Sequence, residues 1–247
     1  AVPDRASALV ETDITKLKNA PNITLEPAGE GCVRVRGWGK SGHAAMPEGT
    51  VNAIGLVVNY LLDNGLCNDA ERAYLEAVKK LHDSTAGVGL GIDCADGPFG
   101  PLTIIGGKMS MVDGRMVQTM DSRYPTCTDG DTIAKQIRAA IGTGAELTDV
   151  GSAKPFYIEA DTPAIKACIE TYNEVTGENA TPFTMGGGTY ARHFPYAVSF
   201  GPEHSDMVLP EFGGPMHGAN EAAPIDKLLE ALKIYIIALL RLEEIDF

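Results

Sequence analysis

The stretch LTIIGGKMSMVDGRMVQTMDSRY, residues 102–124, decides the fold class of this chain. Two extended runs flank Asp113-Gly114, a dipeptide that strongly indicates a two-residue β-hairpin turn. The segment that follows, 131–141, places isoleucines four residues apart at Ile133, Ile137 and Ile141, as in an amphipathic helix. A hairpin followed by a helix predicts an α+β unit.

An earlier segment has the same order. Residues 32–38 alternate valine with arginine, which predicts a half-buried strand, and 50–63 has helical spacing. Two residue pairs, Ser41 with Ser122 and Glu48 with Asp129, are each separated by 81 residues. We therefore predict a duplicated α+β module. Further predicted elements are strands at 6–11, 23–25 and 154–159 and helices at 13–19 and 70–82.

The pattern changes near residue 158. Thr162, Pro163 and Gly177 give a helix with a capping residue at its start and a glycine just beyond its end. A glycine-rich stretch follows, and a last helix is predicted over 224–244, with its most apolar run buried. We expect one domain over 1–157, whose first strand is missing, and a second over 158–247.

Composition excludes some classes of function. A formal net charge of −13 and a pI near 4.8 disfavour a nucleic-acid partner, which needs clustered Lys and Arg. The longest apolar run is too short for a membrane span. Five widely spaced cysteines favour free thiols in a reducing compartment. The expected location is the cytoplasm. The chain opens in a strand-like stretch, as if inside a domain.

Some residues could carry chemistry. His43 lies in GWGKSGHAAMPEG, residues 37–49, which is not a phosphate loop because Arg34 stands where that motif needs glycine. Arg123 is either a surface charge or a fork for a substrate carboxylate. His217, in a glycine-rich loop, is a metal ligand, a catalytic base or a structural residue. His82 is expected on the surface, His193 in a structural role and His204 in a solvated loop.

Five motifs in order, GKSGHAAMPEGTVNAI, DSRYP, MGGGTYAR, SFGP and HGANE, resemble the M-twenty family of dizinc metallopeptidases. The likeness is nearest to its bacterial broad-specificity and Xaa-His dipeptidases, related to carnosinases. It implies an α/β fold: a catalytic domain with two zinc ions per intact chain, and an inserted α+β lid of two similar halves. It also implies hydrolysis of dipeptides or short peptides.

The resemblance assigns roles to particular residues. His43 matches the histidine that donates to the oxyanion, and Arg123 matches the arginine that binds the substrate carboxylate. Gly186, Gly187 and Gly188 match a loop that approaches the substrate through its backbone, and His217 matches a zinc ligand. The family's other zinc ligands and its general base lie upstream of Val2. We therefore expect a C-terminal half that is inactive alone and largely without zinc.

Two alternatives stay open. A deacylase of the same family, of the acetylornithine or succinyl-diaminopimelate type, has a shorter lid. A non-catalytic dimerisation or interaction module would use the same α+β unit for association only. A complete, doubled lid favours a monomer, and neither a nucleic acid nor a membrane is expected as a partner.

Overall fold

The computed structural model describes residues 1–201, 207–214 and 220–246. It confirms a mixed α/β fold class. The chain divides into two compact units: unit 1 is Ala1–Pro155 with Met185–Gly187, and unit 2 is Phe156–Thr184 with Gly188–Phe247. In the part of the chain that the structure describes, no helix has the length and apolar character needed to cross a membrane.

Unit 1 begins with a three-stranded antiparallel sheet. Its strands are β1 (Arg5–Glu11), β2 (Ile23–Pro27) and β3 (Cys32–Trp38), in the order β1-β3-β2. The alternation in β3 is confirmed, because Val33 and Val35 are buried while the intervening arginine is half-exposed. One face of this sheet therefore contributes to the core.

Helix α1 (Ala53–Asp63) packs on this sheet, and α2 (Asp69–His82) packs on α1. Asn52 caps α1 by accepting from the Ile54 N–H at 3.0 Å, and its Nδ2 donates to the Gly106 carbonyl at 2.7 Å. One side chain thus starts a helix and ties it to the next sheet. The core here is formed by Val35, Ile54, Val57, Val58, Tyr60, Leu61, Leu75 and Val78.

The predicted hairpin is confirmed as β6 (Thr103–Val112) and β7 (Arg115–Arg123), preceded by the short pair β4 (Ala95–Asp96) and β5 (Gly100–Pro101). Asp113 and Gly114 have φ of 49° and 77°, the left-handed values that such a turn requires. Helix α3 (Gly130–Ile141) follows, capped by Asp129. A second core cluster contains Leu81, Leu90, Ile92, Leu102, Ile104, Ile133 and Ile137.

The two strand–loop–helix segments share their order but not their spacing. Residues 39–52 connect β3 to α1, whereas only 124–129 connect β7 to α3. The separation of 81 residues is therefore not kept by the ends of the strands or the starts of the helices. The longer first loop is the one that contains His43.

Unit 2 contains α4 (Pro163–Thr176) and α5 (Ile225–Leu242). The predicted punctuation of α4 is confirmed: Thr162 Oγ1 accepts from the Ile165 N–H, and Gly177 has a φ of 75°. Thr171 is fully buried between the helices, where it accepts a hydrogen bond from Arg241 Nη1 at 2.9 Å. The α4–α5 contact is therefore fixed by a polar bond as well as by apolar packing.

Three predicted features are wrong. The segment 154–159 is irregular and not a strand, since Pro155 offers no N–H to a sheet partner. The helix predicted over 13–19 shortens to a 3-10 turn at Ile14–Lys16. The apolar run of α5 is only partly covered, because its buried positions alternate with Ile236, Leu239 and Leu240, each more than half exposed.

Candidate active site

The loop that contains His43 is held at several points. Lys40 and Val51 exchange backbone hydrogen bonds of 2.9 and 3.0 Å at its base. Within it, Thr50 Oγ1 donates to the Pro47 carbonyl at 2.6 Å. Ala44 is buried with Val2 and Ile105, so the loop packs against β6. These contacts place the half-buried His43 on a fixed support.

The ring of His43 has a defined tautomer. The Ala45 N–H donates to His43 Nδ1 at 3.2 Å. A nitrogen that accepts cannot carry a proton, so the neutral ring has its proton on Nε2. His43 therefore presents a hydrogen-bond donor at Nε2.

Arg123 is the last residue of β7 and lies opposite Thr103 of β6. Its Nη2 donates to Asp121 Oδ2 at 3.0 Å, and its Nε lies 2.9 Å from Asp121 Oδ1. The Arg123 side chain is 35% exposed. It is thus a partly covered guanidinium held by a neighbouring carboxylate.

Gly186 lies against both of these elements. A Cβ built at Gly186 would lie 2.8 Å from Ala45 Cβ and 3.5 Å from Cβ and Cγ of Arg123. The first distance is shorter than carbon atoms tolerate, so a side chain at this position would displace the His43 loop. Unit 1 therefore brings the His43 loop, Arg123 and Gly186 together.

The other predicted site residues are placed less closely. A Cβ on Gly187 would meet only the Met185 side chain, at 3.5 Å, and one on Gly188 would meet Arg192 of unit 2. His217 and His204 lie outside the described residues. Over residues 1–201, 207–214 and 220–246, no group of three His, Cys, Asp or Glu is placed to hold a metal ion.

The prediction for His82 is wrong. The His82 side chain packs against the backbones of two glycines. A Cβ built on Gly55 would lie 3.0 Å from His82 Cβ, and a Cβ built on Gly106 would lie 2.5 Å from His82 Cε1. Burial lowers the pKa of His82 to about 4, although Gln118 beside the ring and Asp83 favour its charged form. His193 is exposed, in the 3-10 turn Tyr190–His193. The periodicity of α2 alone could not show that glycines on α1 and β6 leave room for a ring.

Sequence reasoning also missed Asp121. It is part of the DSRYP motif, and residues two apart on a strand share one face. That spacing, an acidic residue two positions before an arginine, was the signal that could have revealed the pair.

Comparison with known proteins identifies the family of the chain. Residues 28–241 match the model of peptidase family M20/M25/M40, and the chain belongs to that family. It is similar to the protein named "Putative dipeptidase YtjP" of Bacillus subtilis, at 29% identity over 98% of this chain and 53% of the relative. It is also 29% identical to the Beta-Ala-Xaa dipeptidase of Lactobacillus delbrueckii subsp. lactis, over 83% of this chain and 43% of the relative.

The chain therefore spans about half the length of the curated relatives that it matches. It is a member of a peptidase family whose named relatives include dipeptidases.

Proposed function

We propose that this chain supplies the lid and the C-terminal part of the catalytic domain of a metal-dependent dipeptidase. Residues 1–157 form the lid in this proposal, and 158–247 belong to the catalytic domain. The meeting of the His43 loop, Gly186 and Arg123 is the observation that carries it. A neutral hydrogen-bond donor, a glycine backbone without a side chain and a guanidinium can together bind a short peptide on either side of its scissile bond.

His43 acts in this proposal as the oxyanion donor. Attack of water on the scissile carbonyl places negative charge on the carbonyl oxygen, and a hydrogen bond from Nε2–H stabilises that charge. The Ala45 N–H supports the role because it holds the donor tautomer before substrate arrives.

Arg123 binds the carboxyl end of the substrate. A guanidinium pairs with a carboxylate through two parallel hydrogen bonds, which fixes direction as well as charge. Because Gly186 lies between Arg123 and the His43 loop, the carboxylate would be bound close to the oxyanion donor. This proximity suits a dipeptide, in which the terminal carboxylate is one residue from the scissile bond.

The family resemblance implies two zinc ions in the intact enzyme, where they would supply an activated water. The described part of this chain does not fit a zinc site by itself, since it brings together no group of three His, Cys, Asp or Glu. Water activation is therefore assigned to no residue of this chain. Apart from His217, the ligands are expected in the part of the relatives that this chain does not span.

We infer that the remaining half of the catalytic domain covers α5. Ile225, Leu229, Leu239 and Leu240 are each more than 60% exposed. Apolar helix surface of this kind is normally covered by protein. The 247-residue chain alone is therefore expected to be inactive.

All five cysteines are free. Free thiols support the cytoplasm as the location of the intact enzyme. We take the intact enzyme to be a monomer.

The experiment compares hydrolysis of a dipeptide with that of an N-acetyl amino acid by the full-length enzyme with zinc. His43→Ala is expected to lower the kcat for the dipeptide by about 10²–10³, the usual cost of losing one oxyanion donor. His193→Ala is the matched control, because His193 is exposed on a turn of unit 2, and it should retain the wild-type rate.

Each alternative has its own outcome. A near-wild-type rate in His43→Ala contradicts the role of His43. Preference for the N-acetyl amino acid indicates the deacylase instead. A full-length protein that forms dimers and hydrolyses neither substrate indicates the interaction module.

A further inference from the structure

We propose that Asp121 is a positioning residue for substrate recognition: it holds the Arg123 guanidinium so that one edge of the fork faces the incoming carboxylate. This inference rests on the proposed function, because it assigns Arg123 to the carboxyl end of the substrate. It goes further by naming the residue that orients Arg123 and the part of the guanidinium that is used.

The contact between Asp121 and Arg123 is directional. On the Nε and Nη2 side of the guanidinium, Nη2 donates to Asp121 Oδ2 at 3.0 Å, and Nε lies 2.9 Å from Oδ1 in an ion pair without a hydrogen bond. A guanidinium has five N–H donors in a fixed plane. Asp121 therefore engages one edge and sets the plane, while the edge that includes Nη1 points away from that carboxylate.

The strand register places this pair beside the His43 loop. Asp121 lies opposite Ile105, and Arg123 lies opposite Thr103, so both side chains are on the same face of the hairpin. Ile105 is buried with Ala44, the neighbour of His43. The face that carries Asp121 and Arg123 is thus the face on which the His43 loop packs.

Gly186 restricts Arg123 from another side. The 3.5 Å approach that a Cβ at Gly186 would make to Cβ and Cγ of Arg123 shows how closely the backbone lies on the aliphatic stem. With its stem packed and one edge bound to Asp121, the Arg123 fork loses little further freedom when a carboxylate binds. Such preorganisation raises affinity because less entropy is lost on binding.

Removal of the Asp121 charge has opposite effects on substrate binding through electrostatics and through orientation. Asp121 neutralises much of the charge of Arg123, so its removal would strengthen long-range attraction for an anion. If charge dominated recognition, Asp121→Asn would bind substrate more tightly. If orientation dominates, as we propose, the same variant binds substrate more weakly.

The experiment measures kcat and KM of the full-length enzyme for a dipeptide and for the same dipeptide with its C-terminal carboxyl group amidated. Asp121→Asn is expected to raise the KM for the dipeptide about 10-fold with little change in kcat, and to leave the amide unaffected. Asp121→Glu should recover part of the loss. Glu26→Gln is the matched control, because Glu26 forms a comparable half-exposed ion pair with Arg36.

The outcomes separate the two proposals. If Arg123→Ala raises the KM for the dipeptide but not for its amide, while Asp121→Asn leaves KM unchanged or lowers it, the positioning role is wrong and the proposed function stands. If wild type hydrolyses neither substrate, the proposed function fails.

A second readout does not depend on activity. In the ¹⁵N-arginine NMR spectrum of the same protein, the Arg123 guanidinium should rotate slowly in wild type and rapidly in Asp121→Asn. Rapid rotation in wild type overturns the inference whatever the enzyme hydrolyses.

Discussion

His82 should make the stability of unit 1 depend on pH. Its pKa is about 4 in the folded chain, because burial disfavours the charged ring, against an ordinary 6.5 in the unfolded chain. Between these two values the unfolded chain binds more protons than the folded one. The contribution to stability is therefore complete above pH 6.5, falls as pH decreases and reaches its floor near pH 4. Linkage gives a loss of about 2 kcal/mol between pH 7 and pH 5.

Urea unfolding at pH 7, 6 and 5 measures this loss. Trp38 is the single tryptophan of the chain and lies in β3, so its fluorescence reports on unit 1. His82→Gln replaces the ring with a neutral polar group and should flatten the dependence by about 2 kcal/mol.

Hydrogen bonds lower the pKa of Asp13, Asp96 and Asp129. Protonation of these carboxylates also destabilises the folded chain, but chiefly below pH 5 and equally in wild type and His82→Gln. His193→Gln is the control, since this exposed histidine should leave the wild-type slope intact. An equal slope in wild type and His82→Gln between pH 7 and 5 would refute the reasoning.

Three further predictions concern packing and reactivity. Gly37→Ala should lower the free energy of unfolding by about 1–3 kcal/mol in urea titrations, because its Cβ would lie 2.7 Å from the Ala53 carbonyl oxygen. Asn68→Ala removes the capping box of α2 and should cost about 1 kcal/mol in the same assay, in which an unchanged midpoint would contradict the cap. Burial and contact with Cys127 raise the pKa of the Cys94 thiol to about 11, so iodoacetamide at pH 8 should label exposed Cys127 well before Cys94, as mass spectrometry can test.

Local signals predicted the elements of unit 1 well. The Asp113-Gly114 turn, the alternation around Val33 and Val35 and the spacing of Ile133 and Ile137 each depend on neighbours within a few residues, and each is confirmed. The burial of His82 could not be inferred in this way. It depends on glycines of α1 and β6, which belong to other elements and meet the His82 ring only in the fold.

The candidate site shows the same difference between features that a sequence motif predicts and features that depend on the fold. Motif resemblance singled out His43, Arg123 and Gly186, and the structure places Gly186 against the His43 loop and Arg123. The Ala45 contact that fixes the His43 tautomer and the Asp121 contact that orients Arg123 depend on side-chain geometry, which residue identities do not specify. His217 lies outside the described residues, so its role as a ligand stays a prediction.

Helix α5 has more apolar surface than the described residues cover. Its apolar residues are not confined to one stripe: Ala231 and Ile234 are buried, while Leu232, Ile236 and Leu239 are more than half exposed. Full burial of a leucine or isoleucine stabilises by about 1.5–3 kcal/mol. Covering three such side chains would therefore offset a large part of the entropy lost when another segment packs on the helix. In the proposed dipeptidase, the other half of the catalytic domain would thus stabilise unit 2 as well as supply metal ligands. Adding zinc alone could not replace it.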